Sequence, residues 1–372
     1  MSPHPAVRIA EIAVTGFRNL SSVRIHPDPR ANVLLGANGQ GKTSVLEAID
    51  YAASLRSFRG AQRNHLVGHD APAAQVLLRV ESVGLAREYR VRLTRTTREI
   101  TLDGKRPERA VEYFGDAACV VFQPEDLDLV RGAPELRRRL LDRILVRAVD
   151  GYGEALKSYA KGLRARNALL REKVPNTHAI QSYDFGLARY GAAIVRAREA
   201  LVGDLVKAAH QSLEEVALAP ETITLSYRPR APSDAIAYAA ALAQGLPGDL
   251  ARRSTSVGPH GDDLAITWAG VPARSVASQG QTRALALALR LAELHVLEAR
   301  TKRVPVLLLD DVSSELDRER TERLFKLVGT LGAQVWVTTT DPAIAALLPK
   351  ARVFEVRDGG VTPAARVGNP GP

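Results

Sequence analysis

Three short stretches, distant along the chain, carry the residues best suited to chemistry. Gly36-Ala37-Asn38-Gly39-Gln40-Gly41-Lys42-Thr43 has the glycine, lysine and hydroxyl spacing of a phosphate loop. Glycines in such a loop let backbone N–H groups close around a phosphate chain, the lysine neutralises it, and the hydroxyl holds Mg²⁺. Gly36, Asn38, Gly39, Gln40, Gly41, Lys42, Thr43 and Ser44 are therefore the candidate nucleotide-binding residues. The second stretch is apolar from Val304 to Leu309 and ends on Asp310 and Asp311. Its first carboxylate is placed to hold Mg²⁺ together with Thr43, and its second to orient or deprotonate a water attacking a γ-phosphate. A solvated acidic turn at a strand end is the other reading, and the phosphate loop favours the first. The third stretch, Ser278-Gln279-Gly280-Gln281, precedes a run from Arg283 to Arg300 with Leu285, Leu289, Ala292 and Val296 on one helical face. These small polar residues then occupy a helix N-terminus, whose partial positive charge and unpaired N–H groups suit a phosphate. A serine there also serves as an ordinary N-cap.

These residues need elements to bring them together. Asn32 to Leu35 predicts a buried strand entering the phosphate loop, and Ser44 to Ser54, with Leu46, Ile49 and Ala53 on one face, predicts the helix leaving it. Strand, loop, helix directs the positive helix end at the phosphates. Alternating segments at Ala6 to Phe17, Gln75 to Val80, Tyr89 to Thr94 and Glu99 to Leu102 predict further strands, the last closing on the turn Asp103-Gly104. Helical periodicity runs from Glu135 to Glu172, breaks at Val174-Pro175-Asn176, and resumes from Ala179 to Val216, predicting an antiparallel helix pair. Strands return at Thr222 to Tyr227 and Leu264 to Trp268, while Val304 to Leu309 and Gln334 to Val337 read as buried parallel strands. The Gly-, Pro- and Ala-rich stretch from Val361 to Pro372 is expected to be loose. The fold class is thus α/β, a P-loop head split by an inserted helical lobe.

Composition narrows the classes. The 372 residues are 45% hydrophobic, enough for two or three cores, and the single cysteine, Cys119, excludes an internal disulfide and a paired-cysteine zinc site. No secretory leader or membrane-length apolar run is evident, so a soluble cytoplasmic protein is expected. A net charge of +10 and a pI near 9.9 point to a polyanionic partner, DNA among them, although nine of the 51 basic residues are lysine and such arginine excess also follows from codon usage. Aromatic content is 5%, too low for a protein that holds single strands by stacking, so contact through the nucleic-acid backbone is expected. The densest basic run is Arg137, Arg138, Arg139, Arg143, Arg147, Lys157, Lys161, Arg164 and Arg166, in which Arg139, Arg143 and Arg147 share a helical face. Arg56 and Arg59, just past the nucleotide helix, are a second DNA candidate. A solvated helix face accounts equally well for the run.

The chain resembles the RecF family, bacterial repair ATPases related to the SMC and ABC types, along nearly its whole length. The resemblance is carried by Gly16-Phe17-Arg18-Asn19-Leu20, the phosphate loop with Leu46-Glu47-Ala48-Ile49, and Pro124-Glu125-Asp126-Leu127 followed by Val130, Gly132, Pro134, Arg137 and Arg138. It continues through Gly258-Pro259-His260 with Asp262-Asp263, the Ser278 segment, Leu309-Asp310-Asp311-Val312 and Glu315-Leu316-Asp317. Where the family commonly carries a cation, this chain has Gly261. The resemblance implies an ABC-type head of two lobes without long coiled coils, residues 1–130 and 301–372 forming lobe I with the phosphate loop and acidic strand and residues 131–300 forming lobe II with the helical insertion and the Ser278 segment. It also implies an ATP-dependent homodimer and slow DNA-dependent ATP hydrolysis in recombinational repair. Partners implied are duplex DNA and its junctions with single strands, RecO and RecR, on the nucleoid, with no membrane. Lys42 and the loop amides would hold the phosphates, Thr43 and Asp310 the Mg²⁺, and Asp311 the water. Ser278, Gly280 and Gln281 would act in trans on the γ-phosphate, Gln123 would sense metal and water, and Thr339 would replace a histidine that other ABC ATPases aim at the γ-phosphate. Two other classes share part of these motifs. The motor subunit of an ABC transporter would have all three but no reason for DNA affinity, and a P-loop phosphotransferase would need neither the Ser278 segment nor a dimer.

Overall fold

The computed structural model describes residues 4–108, 110–217, 223–312, 318–348 and 350–364. They form two compact units, one of Met1–Asp126, Ser212–Pro220 and Gln279–Pro372, the other of Leu127–Gln211 and Glu221–Ser278. The expected division at residue 300 is thereby corrected. The helix Gln279–Thr301 belongs to the first unit, because its buried side, including Leu285, Leu289 and Ala292, packs on the strand Cys119–Phe122 of that unit.

In chain order the strands are β1 (Arg8–Phe17), β2 (Leu20–Ile25), β3 (Ala31–Leu35), β4 (Ala74–Ser82), β5 (Leu85–Leu93), β6 (Arg98–Leu102) and β7 (Cys119–Phe122). They continue with β8 (Ile223–Arg228), β9 (Asp263–Trp268), β10 (Val271–Pro272), β11 (Val306–Leu309), β12 (Val335–Thr339), β13 (Arg352–Arg357) and β14 (Gly360–Pro363). The first unit holds two sheets. One is antiparallel, ordered β2-β1-β4-β5-β6; the other is ordered β14-β13-β3-β12-β11-β7, parallel except for its edge strand β14. Burial alternates along β4, the pattern of a sheet with one covered face, whereas every residue of β7, β11 and β12 is buried, the pattern of parallel strands covered on both faces. The helix Lys42–Ser54 lies between the sheets, touching β1, β4 and β5 as well as β7 and β12. Val45, Leu46, Ala48, Ile49, Ala52 and Ala53 are fully buried there, so the nucleotide helix is part of the core rather than an amphipathic surface helix.

Parallel register supplies the site. β3 pairs with β12 from Ala31↔Val335 to Leu35↔Thr339, β12 with β11 up to Leu309↔Val337, and β11 with β7 up to Leu309↔Phe122. The C-terminal ends of β3, β12, β11 and β7 therefore lie side by side; the phosphate loop, Asp310 and Gln123 follow β3, β11 and β7, and Thr338 is the penultimate residue of β12. In open α/β sheets this is where ligands bind.

The second unit contains the antiparallel sheet β10-β9-β8 and the helices Pro134–Ala148, Tyr152–Leu170 and Ala235–Arg252. The helical stretch expected from Glu135 to Glu172 is interrupted at Gly151, whose φ of 76° is accessible to glycine at little cost. Ala235–Arg252, a helix despite the internal Pro247, had no counterpart among the expected elements. Val361–Pro363, expected to be loose, pairs with β13 in β14, and residues 365–372 lie outside the described residues, as does Glu315-Leu316-Asp317.

Candidate nucleotide site

The loop between β3 and the helix Lys42–Ser54 has Gly39 at φ 80° and Gly41 at φ 114°, the left-handed region in which a side chain is strained. The Lys42 ammonium donates to the carbonyls of Gly36 and Ala37, at 2.7 and 2.8 Å. Burial lowers its pKa, and the nearby carboxylates of Asp311 and Asp310 oppose that shift. The helix N-terminus directly follows the loop, so unpaired N–H groups and lysine converge on one anion-binding position.

Thr43 and Asp310, far apart in sequence, meet here: the Thr43 hydroxyl donates to Asp310 Oδ1 at 2.9 Å. Thr338 Oγ1 donates to the same oxygen at 2.7 Å and accepts from the Asp311 N–H at 2.9 Å. One hydroxyl from β12 thus ties both acids, and Asp311 is held at φ 48°, an uncommon conformation for a non-glycine residue. Burial raises the Asp310 pKa, the hydrogen bonds from Thr338 and Thr43 restrain the rise, and the charges of Asp311 and Glu125 add to it.

A cavity of about 690 Å³ opens over these groups, lined in part by Asn38, Gly39, Lys42, Thr43, Asp311 and Thr338. Among the described residues no cluster of three His, Cys, Asp or Glu could hold a metal by itself. One hydroxyl and one carboxylate, with phosphate oxygens and water completing the shell, are instead a donor set that suits Mg²⁺. The site fits a nucleoside triphosphate with its metal.

Each sequence-derived residue has a position. Gly36, Asn38, Gly39, Gly41, Lys42, Thr43, Asp310 and Asp311 gather at the loop. Ser44 turns its hydroxyl to Asn19 Oδ1 at 2.7 Å, and Gln40 points away from the 690 Å³ cavity, its Oε1 accepting from the Asp358 N–H at 2.6 Å. Gln123, buried beside Asp310, donates from Nε2 to the Phe58 carbonyl at 3.3 Å and does not line the cavity. Thr339 is also absent from that lining; its hydroxyl accepts from the Asp341 N–H, and Thr338 takes the cavity-facing place because successive strand residues face opposite ways. Ser278 is exposed at the start of the helix Gln279–Thr301, and Gly280 lies against the Arg320 guanidinium, where a Cβ would stand 3.0 Å from Nη1. Gly280 and Gln281 do not line the cavity.

The basic run divides between buried and exposed positions. Arg137 is buried on Asp263 at 2.8 Å, and Arg166 is fully buried, donating to Asp184 at 2.9 Å and Asp249 at 2.8 Å. Arg143 and Arg147 are half-buried with their Nε atoms shielded from solvent, and Arg139 is exposed beside Glu135, with which it pairs on the surface. Arg56 and Arg59 are exposed, and Arg59 lines the cavity together with His65, His69 and Arg95. Gly261 packs against the aliphatic stem of Arg230, where a Cβ would stand 3.1 Å from Cγ.

Arg18 and Asn19 had entered only as marks of resemblance, yet they support the site directly. Arg18 clamps the buried Glu47 of the nucleotide helix with two hydrogen bonds of 2.9 Å, and Asn19 Nδ2 donates to the Gly39 carbonyl at 3.1 Å. The turn Arg18-Asn19 joins β1 to β2, and because polar residues are ordinary in such turns, the sequence carries no mark that separates these two from a solvated turn.

Comparison with known proteins bears on this geometry. The family described as RecF/RecN/SMC N terminal domain matches residues 8–359. A DNA replication and repair protein RecF from Anaeromyxobacter sp. (strain Fw109-5) is 42% identical over 369 residues, covering 96% of this chain and 99% of its own length. A structure of the recombination mediator protein RecF with ATP, in the RecFOR pathway, superposes with a TM-score of 0.88 at 30% identity, covering 97% of this chain and 99% of that one. The Smc head domain derived from Pyrococcus furiosus gives a TM-score of 0.55 at 16% identity, covering 96% of each chain, a likeness of fold.

Proposed function

Because the chain belongs to the RecF family of SMC-related, ABC-type ATPases, we propose that it is an ATP-gated DNA-binding protein of recombinational repair. The carrying observation is the Thr43–Asp310 hydrogen bond, which joins the phosphate loop to the acidic strand in one donor set. Lys42 and the loop amides would bind the β- and γ-phosphates; Thr43 and Asp310 would hold Mg²⁺, which would offset phosphate charge. Asp311 orients the attacking water and accepts its proton, its backbone N–H fixed by Thr338. Gln123 is proposed only as a supporting residue, since its amide is engaged with Phe58.

Ser278, exposed before the helix, and the helix end at Gly280 and Gln281 would cover the γ-phosphate of a second copy in an ATP-dependent homodimer. The reading extends to slow, DNA-dependent hydrolysis in a cytoplasmic, nucleoid-associated protein, with RecO and RecR as partners and duplex–single-strand junctions as preferred DNA. Among the described residues no helix is long and apolar enough to cross a membrane. For DNA, the exposed Arg56, Arg59 and Arg139 are the candidate contacts, with the half-buried Arg143 and Arg147 on the same helix as Arg139.

The test uses Asp311→Asn with MgATP, a variant expected to bind nucleotide and turn over slowly. Retention on duplex DNA should rise with ATP, and log affinity should fall linearly with log salt at a slope of about −0.9 per phosphate neutralised. DNA binding that ignores both nucleotide and salt would overturn the proposal.

A further inference from the structure

The hairpin β13–β14 sits behind the phosphate loop and is tied to it. Its turn, Asp358-Gly359, has φ of 46° and 75°, the paired positive values of a two-residue type I′ connection, for which Asp-Gly is a favoured sequence. Both turn N–H groups are spent on one loop residue: Gly359 N–H donates to the Gln40 carbonyl at 3.0 Å and Asp358 N–H to Gln40 Oε1 at 2.6 Å. Gly36, at the other end of the loop, lies so close to the Val356 carbonyl of β13 that a Cβ would overlap it. Gly359 itself is pressed against the Asn19 carbonyl, where a Cβ would again overlap, and the Asn19 side chain holds the Gly39 carbonyl and the Ser44 hydroxyl.

We infer that the Asp358-Gly359 turn, acting through Gln40 and Asn19, positions the phosphate loop for nucleotide, which makes Gln40 and Gly359 positioning residues for triphosphate affinity. The inference rests on the nucleotide reading above. A loop of glycines gains its grip on phosphate from amides already aimed, and glycine by itself supplies no rigidity. Here residues 36, 39, 40 and 44 are each fixed from outside the loop, two by the hairpin and two by Asn19, which the hairpin turn backs. The contacts on Gln40 lie outside the 690 Å³ cavity, on a separate recess of about 460 Å³ with Glu355, Arg357 and Asp358, so they can persist with nucleotide bound.

The molecule contains its own control. The β4–β5 hairpin turns on Val83-Gly84 with φ of 53° and 75°, and a Cβ on Gly84 would meet nothing within 4 Å. Gly359→Ala and Gly84→Ala thus impose like backbone strain, and only the first disturbs the loop. Equilibrium binding of MgATP to the full chain should weaken about tenfold or more in Gly359→Ala and stay at the parent value in Gly84→Ala. Gln40→Met, which keeps length and removes the acceptor, should weaken binding by about fivefold, the worth of one hydrogen bond, and it carries the test if Gly359→Ala does not fold. Lys42→Ala separates the two levels of the argument. If it abolishes binding while Gly359→Ala and Gln40→Met match the parent, the positioning role is wrong; if Lys42→Ala itself binds like the parent, the nucleotide reading has failed.

Discussion

Thr338→Val is the sharpest probe of the acidic pair. Valine fills the space of threonine in a fully buried strand, so the change removes a hydroxyl and little else. The hydroxyl makes two hydrogen bonds, a donation to Asp310 Oδ1 at 2.7 Å and an acceptance from Asp311 N–H at 2.9 Å. A bond to an ionised carboxylate contributes ~1.5–3 kcal/mol and a backbone donor left without its partner costs ~1 kcal/mol or more, so the loss at neutral pH should be roughly 2–4 kcal/mol. The pH dependence carries the sign. Thr338 holds the Asp310 pKa below where burial alone would put it, so its contribution is present while Asp310 is ionised and is lost as pH falls through that pKa. Denaturant unfolding of parent and variant should therefore diverge at pH 7 and converge toward acid. Turnover should respond in the same sense, with the acidic limb of the ATPase profile moving to higher pH because Asp310 must be ionised to hold metal. Thr338→Ser, which restores the hydroxyl, should recover both. A pH-independent stability difference, or a turnover profile unmoved by valine, would refute the claim that this hydroxyl organises the two acids.

Asp311→Asn should retain MgATP affinity and lose hydrolysis by about 10²-fold or more, read as single-turnover phosphate release. Ser278→Arg should leave nucleotide binding by the monomer intact and abolish the ATP-dependent dimer in sedimentation, since a long cation would fill the space of the opposing γ-phosphate. Arg166→Met should lower unfolding free energy by ~3–5 kcal/mol, measured by denaturant titration, because Asp184 and Asp249 would be left buried without their cation. Arg59→Ala should weaken both nucleotide and DNA binding, and Arg56→Ala, exposed but absent from the cavity lining, DNA binding alone.

What the sequence conveyed depended on how local the determinant was. The phosphate loop and its flanking strand and helix were readable because glycine spacing, lysine and hydroxyl fall within eight residues. Asp310 and Asp311 were readable from the apolar run before them, but their tie to Thr338 was not. Val335–Thr339 is buried on both faces, so no polar alternation marks which of Thr338 and Thr339 faces the acids. Ala235–Arg252 escaped because Gly245, Pro247 and Gly248 break its helical signature, although Asp234 caps it by accepting from the Ala237 N–H. Gln279–Thr301 was recognised as a helix and given to the wrong unit, since periodicity reports that one face is buried without saying what covers it.

The basic run divides for the same reason: Arg137 and Arg166 are buried while Arg139, Lys157, Lys161 and Arg164 are exposed, which changes the electrostatic argument without removing it. Arg137, Arg166, Arg198 and Arg290 are buried in ion pairs rather than displayed. Their partners are Asp263; Asp184 and Asp249; Asp142 and Asp262; and Asp126 and Glu293, so these four cations are matched by seven carboxylates. Held in buried pairs, these four guanidinium groups are not offered to a ligand. Because these networks hold more acid than base, the rest of the chain is more basic than the formal net charge of +10 suggests. A polyanion would therefore be drawn by the exposed cations, and not by the buried Arg137 and Arg166 of the densest run. Long-range attraction of that kind is sequence-independent and screened by salt, which is why salt dependence, rather than base preference, is the property of DNA binding that this chain should display most strongly.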